Sequence, residues 1–460
     1  MTRSVGLRPA VHKLDGPLLR TAFVLVLGPI LVMLDTTIVA VGIDAVAGDL
    51  GGSLGAVQWV STAYLLAVSV VMPLSGWAAD RFGARAVWMS SVALFTAASA
   101  LCGLSWSIGA LIVFRVLQGL GGGMIQPLGQ SMLVQAAGPA RLGRVLAVTL
   151  LPLTFAPVVG PVLGGVVLHT LDWRWMFLVN VPVGVVTLLL ASGALPRATG
   201  PGTAAKLDVP GLVLLPAALA GLVYGCTAGA GVPLAGGTVL MAAYVAYALR
   251  AKGTPLIDLR LFARRGFAVA AGNSFLQGAA LYSSMLLLPL YYQQVEHAGA
   301  LEAGLMLAPQ ALGTAAVTLV AGRLADRMAP RPLILSGILV TLAGTYAFTL
   351  LGSSPAAPVL LLSLVVRGAG LGLVMAPGMA AIYGSVTKDQ VPRAAGAINT
   401  INRVGGALGT AILALVLQHH LDGGLAPAAA YGATFWWTMG LSAATLLPAF
   451  LYPGRERRPV

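Results

Sequence analysis

Runs of about twenty apolar residues recur from one end of this chain to the other, separated by short clusters of Arg, Gly, Pro and Asp. Each run suffices for a helix to cross about 30 Å of hydrocarbon, where a helix satisfies all its backbone groups internally. Fourteen windows are read, at approximately 21–46, 57–79, 86–104, 109–135, 145–168, 176–195, 210–228, 233–249, 267–292, 301–322, 332–351, 357–384, 395–418 and 431–452. The Gly/Ala-rich windows 210–228 and 233–249 also fit one re-entrant hairpin, which leaves the parity unchanged. With 58% hydrophobic and 9% charged residues and a mean hydropathy of +0.90, the chain is far from the roughly 25% charged residues of a soluble domain. The expected fold class is an all-α polytopic membrane protein. The segment "MTRSVGLRPAVHKLDGPLLR" is too polar for the apolar core of a cleavable signal and is expected to remain as a tail.

Lys and Arg concentrate in cytoplasmic loops. With the N-terminus inside, cytoplasmic segments hold 23 of the 27 basic residues, the outer loops hold Arg174, and Arg115, Arg367 and Arg403 lie inside spans. Both termini are therefore expected in the cytoplasm of a multi-pass protein of the cell's inner membrane. The net charge of +13 is spread over loops on one face, which removes nucleic acid as a partner and favours anionic lipid. Cys102 and Cys226 read as small hydrophobes in helix packing, and the five histidines show no metal-ligand spacing. No nucleophile elbow, phosphate loop or zinc motif appears, so neither metal nor cofactor is expected and the chain does not read as an enzyme.

The chain is also an internal repeat. "GWAADRFGAR" (Gly76 to Arg85) follows the second window and "GRLADRMAPR" (Gly322 to Arg331) follows the tenth, 246 residues apart. "RVLQGLGGGMIQP" from Arg115 and "RGAGLGLVMAP" from Arg367 form a second pair, each an intramembrane Arg leading a glycine run and a proline. The expected organisation is a tail (1–20), a six-helix bundle (21–200), an inserted helix pair (201–252), a second six-helix bundle (253–452) and a second tail (453–460). Duplicated bundles that rock about a midplane site are the architecture of secondary transporters. The inserted pair carries "GLVYGCTAGAGVPLAGG", without an acidic or basic residue, and is expected at the periphery of the bundles.

These segments resemble a known family, the major facilitator superfamily. "GWAADRFGAR" resembles its loop motif, "RVLQGLGGG" its fourth-helix motif, and "GPVLGG" (Gly160 to Gly165) its fifth-helix antiporter signature. "LDTTIVAV" and "WRWMFLVNVPVG" (Trp173 to Gly184) resemble signatures of its fourteen-span drug:proton antiporter branch. Ala78, Ala84 and Ala156 depart from the pattern. The resemblance implies a monomeric exporter of amphipathic small molecules, such as drugs or antibiotics, driven by exchange for protons.

Candidate site residues follow from charge and helical spacing. Asp35, at about 1.5 Å per residue from residue 21, lies about 21 Å into the first window, and Arg115 falls at the same level. This pair is the candidate proton-coupling site. Gly76, Asp80, Arg81, Arg85, Asp326 and Arg327 in the loops, with Gly160, Pro161, Gly164 and Gly165 in the fifth span, are candidates for gating. Arg115, Gln118, Gly122, Gln126 and Gln130 share a face, as do Asn273, Gln277, Ser284 and Tyr291, and Asn399, Asn402 and Arg403. Such faces look at protein or at a water-filled cavity, since lipid cannot satisfy them. The candidate cavity comprises Tyr64, Gln118, Gln126, Asn273, Gln277, Tyr282, Arg367, Met375, Asn399, Asn402 and Arg403, although interhelical hydrogen bonding alone also explains each stripe. Three arginines against one deep acid favour neutral or anionic cargo. An importer or uniporter of the same fold, and an intramembrane enzyme or ligand sensor, are the alternatives.

Overall fold

The computed structural model describes residues 15–51, 54–138, 141–195, 208–227, 230–251, 255–257, 259–325, 328–353, 355–387 and 390–452. Its α-helices are, in order, α1 (Gly16–Leu50), α2 (Leu54–Val71), α3 (Leu74–Phe82), α4 (Ala84–Gly103), α5 (Ile108–Ala137), α6 (Leu142–Thr170), α7 (Trp175–Leu178), α8 (Asn180–Ala194) and α9 (Val209–Thr227). They continue as α10 (Gly231–Arg250), α11 (Arg265–Gln294), α12 (Ala300–Met306), α13 (Ala308–Ala325), α14 (Pro330–Thr349), α15 (Ala357–Gly384), α16 (Val391–Asp422), α17 (Pro427–Ala444) and α18 (Leu446–Leu451).

Local chemistry sets several of these boundaries. Pro17 occupies the first turn of α1, where its missing N–H costs nothing. Ser107 caps α5 by accepting the Ala110 N–H at 3.2 Å. Pro73 stands where α2 gives way to α3, since its ring clashes with the preceding turn, and the two axes diverge by 56°. Gly83, at φ +84°, then ends α3 in a conformation that a side chain would strain.

Among the described residues nine helices are long and apolar enough to cross a membrane, or ten with the bent α2–α3 pair taken as one. The expected count of fourteen is not reached. Helix α11 has the length but not the hydropathy, because Asn273, Gln277, Ser283 and Ser284 fall in its middle. Large apolar side chains such as Phe23, Trp106, Leu189, Leu249, Leu362 and Leu415 lie exposed on the outside of the helical array. That surface suits lipid, not water.

The glycine runs explain how the helices approach. Cβ atoms at Gly119 and Gly123 would stand 2.6 Å from backbone oxygens of α2, whereas one at Gly121 would meet α4 at Phe95 N, 2.7 Å away. The second repeat copies this register: Gly368 and Gly372 abut α13 and Gly370 abuts α14. Positions i and i+4 thus serve one neighbour and i+2 the other, so that each central helix touches two partners backbone to backbone.

Helices α9 and α10 form a hairpin interlocked through Gly221, Gly225 and Gly237. Helix α10 is largely exposed, as expected for a peripheral element, but α9 packs on both α2 and α16. Trp59 of α2 stacks on Tyr224 of α9 with ring centroids 5.2 Å apart. The base of the hairpin is tied to the following segment: Asp208 accepts the Gly211 N–H and the Leu256 N–H, both at 3.0 Å, and the Tyr247 hydroxyl. The inserted pair therefore touches helices of both repeats.

Because backbone lies within 3 Å of the missing Cβ, Gly121→Val and Gly370→Val should each destabilise the protein by about 1–3 kcal/mol through overpacking. Gly236→Ala, where nothing lies within 4 Å, should be neutral. Thermal unfolding of detergent-purified protein measures the difference.

Candidate functional site

Asp35 is entirely buried, and four helices supply the groups around it. Arg115 of α5, 1% exposed, donates through Nη1 to Asp35 Oδ2 at 2.7 Å and to Gln118 Oε1 at 2.6 Å. Its Nε donates to the Val60 carbonyl at 3.2 Å. Gln118 Nε2 donates to Asp35 Oδ1 at 2.8 Å and to Ser99 Oγ at 2.5 Å. Asn180, the first residue of α8, donates through Nδ2 to the same Oδ1 at 3.0 Å. The guanidinium also lies 4.0 Å from the centre of the Tyr64 ring and 5.6 Å from that of Phe177. Two aromatic rings thus lie within reach of a cation–π contact with the guanidinium.

The sequence points to Asp35, Arg115, Gln118 and Tyr64, and the structure brings all four together. It adds Asn180 and Ser99, which the spacing arguments do not reach. Asn180 belongs to "WRWMFLVNVPVG", but that segment is broken between α7 and α8, so no helical periodicity assigns the side chain a direction.

The other polar stripes are divided. Gln130 of α5 accepts from Asn399 Nδ2 of α16 at 2.8 Å and from the Tyr383 hydroxyl of α15 at 3.0 Å, joining the first repeat to the second. Gln126 lines a cavity of about 30 Å³ beside Gln130, Thr149 and Met379, enough for water alone. Asn402 is turned into the α11–α16 packing, where it donates to the Ser274 carbonyl at 2.9 Å. Arg367, 2% exposed, is buried against α13 with Gln310 as its hydrogen-bond acceptor, and no carboxylate meets it among the described residues. Asn273 is buried within α11, whereas Gln277, Tyr282, Met375 and Arg403 are half-buried. The Tyr282 ring lies against Gly406 of α16.

The loop residues form a latch. Asp80 at the end of α3 meets Arg393 at the start of α16, with Nη2 at 2.6 Å and Nε at 2.8 Å from Oδ2. Such a two-pronged, charge-assisted pair is a strong contact. A Cβ on Gly76 would strike the Arg393 Cα at 2.9 Å, and one on Gly322 would strike α6 at Ala147 and Gly143. Each loop-motif glycine thus seats its repeat on a helix of the other. Arg81 is exposed, and Arg85 donates to the Ser192 carbonyl at 2.8 Å. Asp326 and Arg327 lie outside the described residues, as does the side chain of Pro161. Gly160 lets α6 approach Thr37 of α1, Gly164 is buried, and Gly165 has nothing within 4 Å of the Cβ position.

At the opposite end of the N-terminal repeat, Asp49 of α1 accepts from the Trp173 indole at 3.0 Å and from Arg174 at 2.9 Å. The indole donor first, and then Arg174, hold its carboxyl below the usual carboxylate range. This clasp is therefore complete above the ordinary carboxylate value and is lost as pH falls through the lowered one.

Arg393→Glu sets two carboxylates against each other at the latch. A cysteine placed at Gln130 should then react several-fold faster with a membrane-permeant maleimide, and Asp80→Arg added to Arg393→Glu should slow it again.

Residues 25–410 match the family described as the Major Facilitator Superfamily. A multidrug resistance protein B homolog from Mycobacterium tuberculosis strain H37Rv is 38% identical over 429 residues, 91% of this chain and 79% of that protein. The cephamycin export protein of Amycolatopsis lactamdurans is 34% identical over 446 residues, 92% of this chain and 89% of that protein. Among solved structures, a crystal structure of the human organic anion transporter MFSD10 shares the fold with a TM-score of 0.66 at 20% identity, covering 95% of this chain and 100% of that one. The chain belongs to the major facilitator superfamily, a family of membrane transporters.

Proposed function

We propose that this transporter exports amphipathic small molecules of the drug or antibiotic class in exchange for protons, by alternating access between two six-helix bundles. In this reading the chain crosses the inner membrane fourteen times with both termini in the cytoplasm, and spans 7 and 8 are the α9–α10 hairpin. The observation that carries the proposal is the fully buried Asp35 carboxylate held against Arg115. A buried ion pair contributes little net stability compared with an apolar pair of the same size, and breaking it leaves an uncompensated charge. A carboxylate at membrane depth is therefore a functional group by default. The relatives named for multidrug resistance and cephamycin export support the export of drug-like cargo.

With the loop-motif end in the cytoplasm, the Asp80–Arg393 latch and the Gln130 bridge to Asn399 and Tyr383 hold the cytoplasmic side shut. Asp35 is ionised in this state. Protonation from the outside cancels the attraction to Arg115, frees α1 from α5 and α8, and biases the bundles toward inward opening. Cargo then loads from the cytoplasmic side as the proton is released inward, and it leaves on the return.

The cargo charge follows from the remaining arginines. Asp35 neutralises Arg115, but Arg367 and the half-buried Arg403 meet no carboxylate among the described residues. This fixed positive charge opposes cations and favours neutral or anionic amphiphiles. In a binding screen on purified protein, neutral and anionic compounds should bind tighter than dicationic dyes of similar size; the reverse ranking would refute the assignment.

Asp35→Asn keeps the shape and some of the hydrogen bonds but cannot titrate. With a substrate selected from that screen, the variant should lose pH-gradient-driven transport in proteoliposomes while retaining near-parental affinity. Undiminished proton-driven transport would exclude Asp35 as the coupling group.

A further inference from the structure

The shell around Asp35 consists of donors. Arg115 can only donate, so Gln118 must present Oε1 to it, and this fixes Nε2 of the same amide toward the carboxylate. The Cys102 thiol, 3.6 Å from Oε1, holds Gln118 in the same sense. Gln118 therefore cannot turn over without setting an NH₂ group against a guanidinium. Asn180 is not so constrained. Among the described residues it engages through Nδ2 alone, to Asp35 Oδ1 at 3.0 Å and to Ser99 Oγ at 3.4 Å.

An ionised carboxylate needs donors, whereas a protonated one is itself a donor and needs an acceptor. Of the two amides at Oδ1, Asn180 can rotate about its last torsion to offer Oδ1 in place of Nδ2. Ser99, whose hydroxyl both donates and accepts, then donates to that oxygen without moving. Asn180 also sits at the break between α7 and α8, one residue beyond Val179, where the backbone is already interrupted. The outer side of this break is fastened to α1 by the Trp173 and Arg174 contacts to Asp49.

We propose that Asn180 is a positioning residue for proton coupling: its amide holds Asp35 ionised in the present state and turns over when the carboxyl takes up a proton. This rests on Asp35 as the coupling group and adds the element that registers its protonation. The other charged or titratable groups facing the carboxylate are Arg115 from α5, Tyr64 from α2 and Cys102 from α4. Arg403 of α16 lies close enough to Tyr64 to act on it. From α6 and α8 no charged side chain comes within hydrogen-bonding distance of Asp35 among the described residues.

The test is an infrared titration of purified, substrate-free protein, following the carboxyl stretch that disappears in Asp35→Asn. Asn180→Leu removes both the donor and the acceptor while keeping the branched heavy-atom skeleton. Losing a charge-assisted bond on one side and a neutral one on the other should move the midpoint up by about one pH unit. Asn180→Ser, smaller and able to donate and accept, should shift it less and serves if the leucine variant does not fold. A parental midpoint in these variants, with Asp35→Asn still defective in proton-driven transport, would overturn the role of Asn180 alone. Full proton-driven transport by Asp35→Asn would overturn the coupling reading beneath it.

Discussion

The buried pair of Asp35 and Arg115 sets the terms for the N-terminal repeat. Removing one partner would leave an unpaired charge, at a cost of about 3–5 kcal/mol. As long as both groups are charged, each must be satisfied by its neighbours. Here satisfaction draws on α1, α2, α4, α5 and α8, through Asp35, Val60, Ser99, Arg115, Gln118 and Asn180. A change in the charge of one carboxyl is consequently felt by five helices at once. In the proposed cycle this spread is what would let one protonation move several helices together.

Sliding demands a second property, close packing without interlocked side chains. The glycines at 119, 121 and 123, and at 368, 370 and 372, bring backbones together on two sides of α5 and α15. Between the repeats, the close approach at Gly76 and Gly322 is joined by polar and charged pairs, with Asp80 on Arg393 and Gln130 on Asn399. Apolar packing in lipid offers little preference for one rigid-body arrangement over another, because the hydrophobic drive is absent there. In the proposed cycle the selection between states would fall to a few polar contacts at the interface and to the protonation of one buried acid.

Much of this was legible in the sequence. The depth arithmetic that placed Asp35 and Arg115 at one level used only the rise of a helix, and the pair is found in contact. Periodicity correctly grouped residues on a face but could not say what the face meets. Asn399 reaches across to the first repeat, whereas Asn402, three residues later, is absorbed into packing against α11. Arg393 was missed although the repeat contains its signal. It stands 249 residues after Arg144, close to the 246-residue offset of the loop motifs, and each arginine lies beside the loop-motif glycine of the opposite repeat. Asn180 was beyond periodic reasoning because its helix is broken beside it. Helix α11 is missed by hydropathy for a related reason: the polar residues in its middle also lower the hydropathy by which a span is recognised.

The duplication makes the asymmetry between the repeats informative. Arg115 and Arg367 are equivalent by their position at the head of a glycine run, and both are buried. At an offset of 246 to 252 residues, the counterpart of Asp35 falls within 281–287, "LYSSMLL", where no acid stands. The second repeat has kept the cation and replaced the titratable partner by serines and a tyrosine, leaving Arg367 with Gln310 as its acceptor. A carboxylate there would have neutralised the charge and supplied a second protonation site. The two repeats are thus unlike in charge: the N-terminal repeat holds its buried arginine against a carboxylate, and the C-terminal repeat holds its own against an amide. In the proposed cycle this separates the two tasks, because the proton would act at Asp35 and the fixed charge of Arg367 would bear on the cargo.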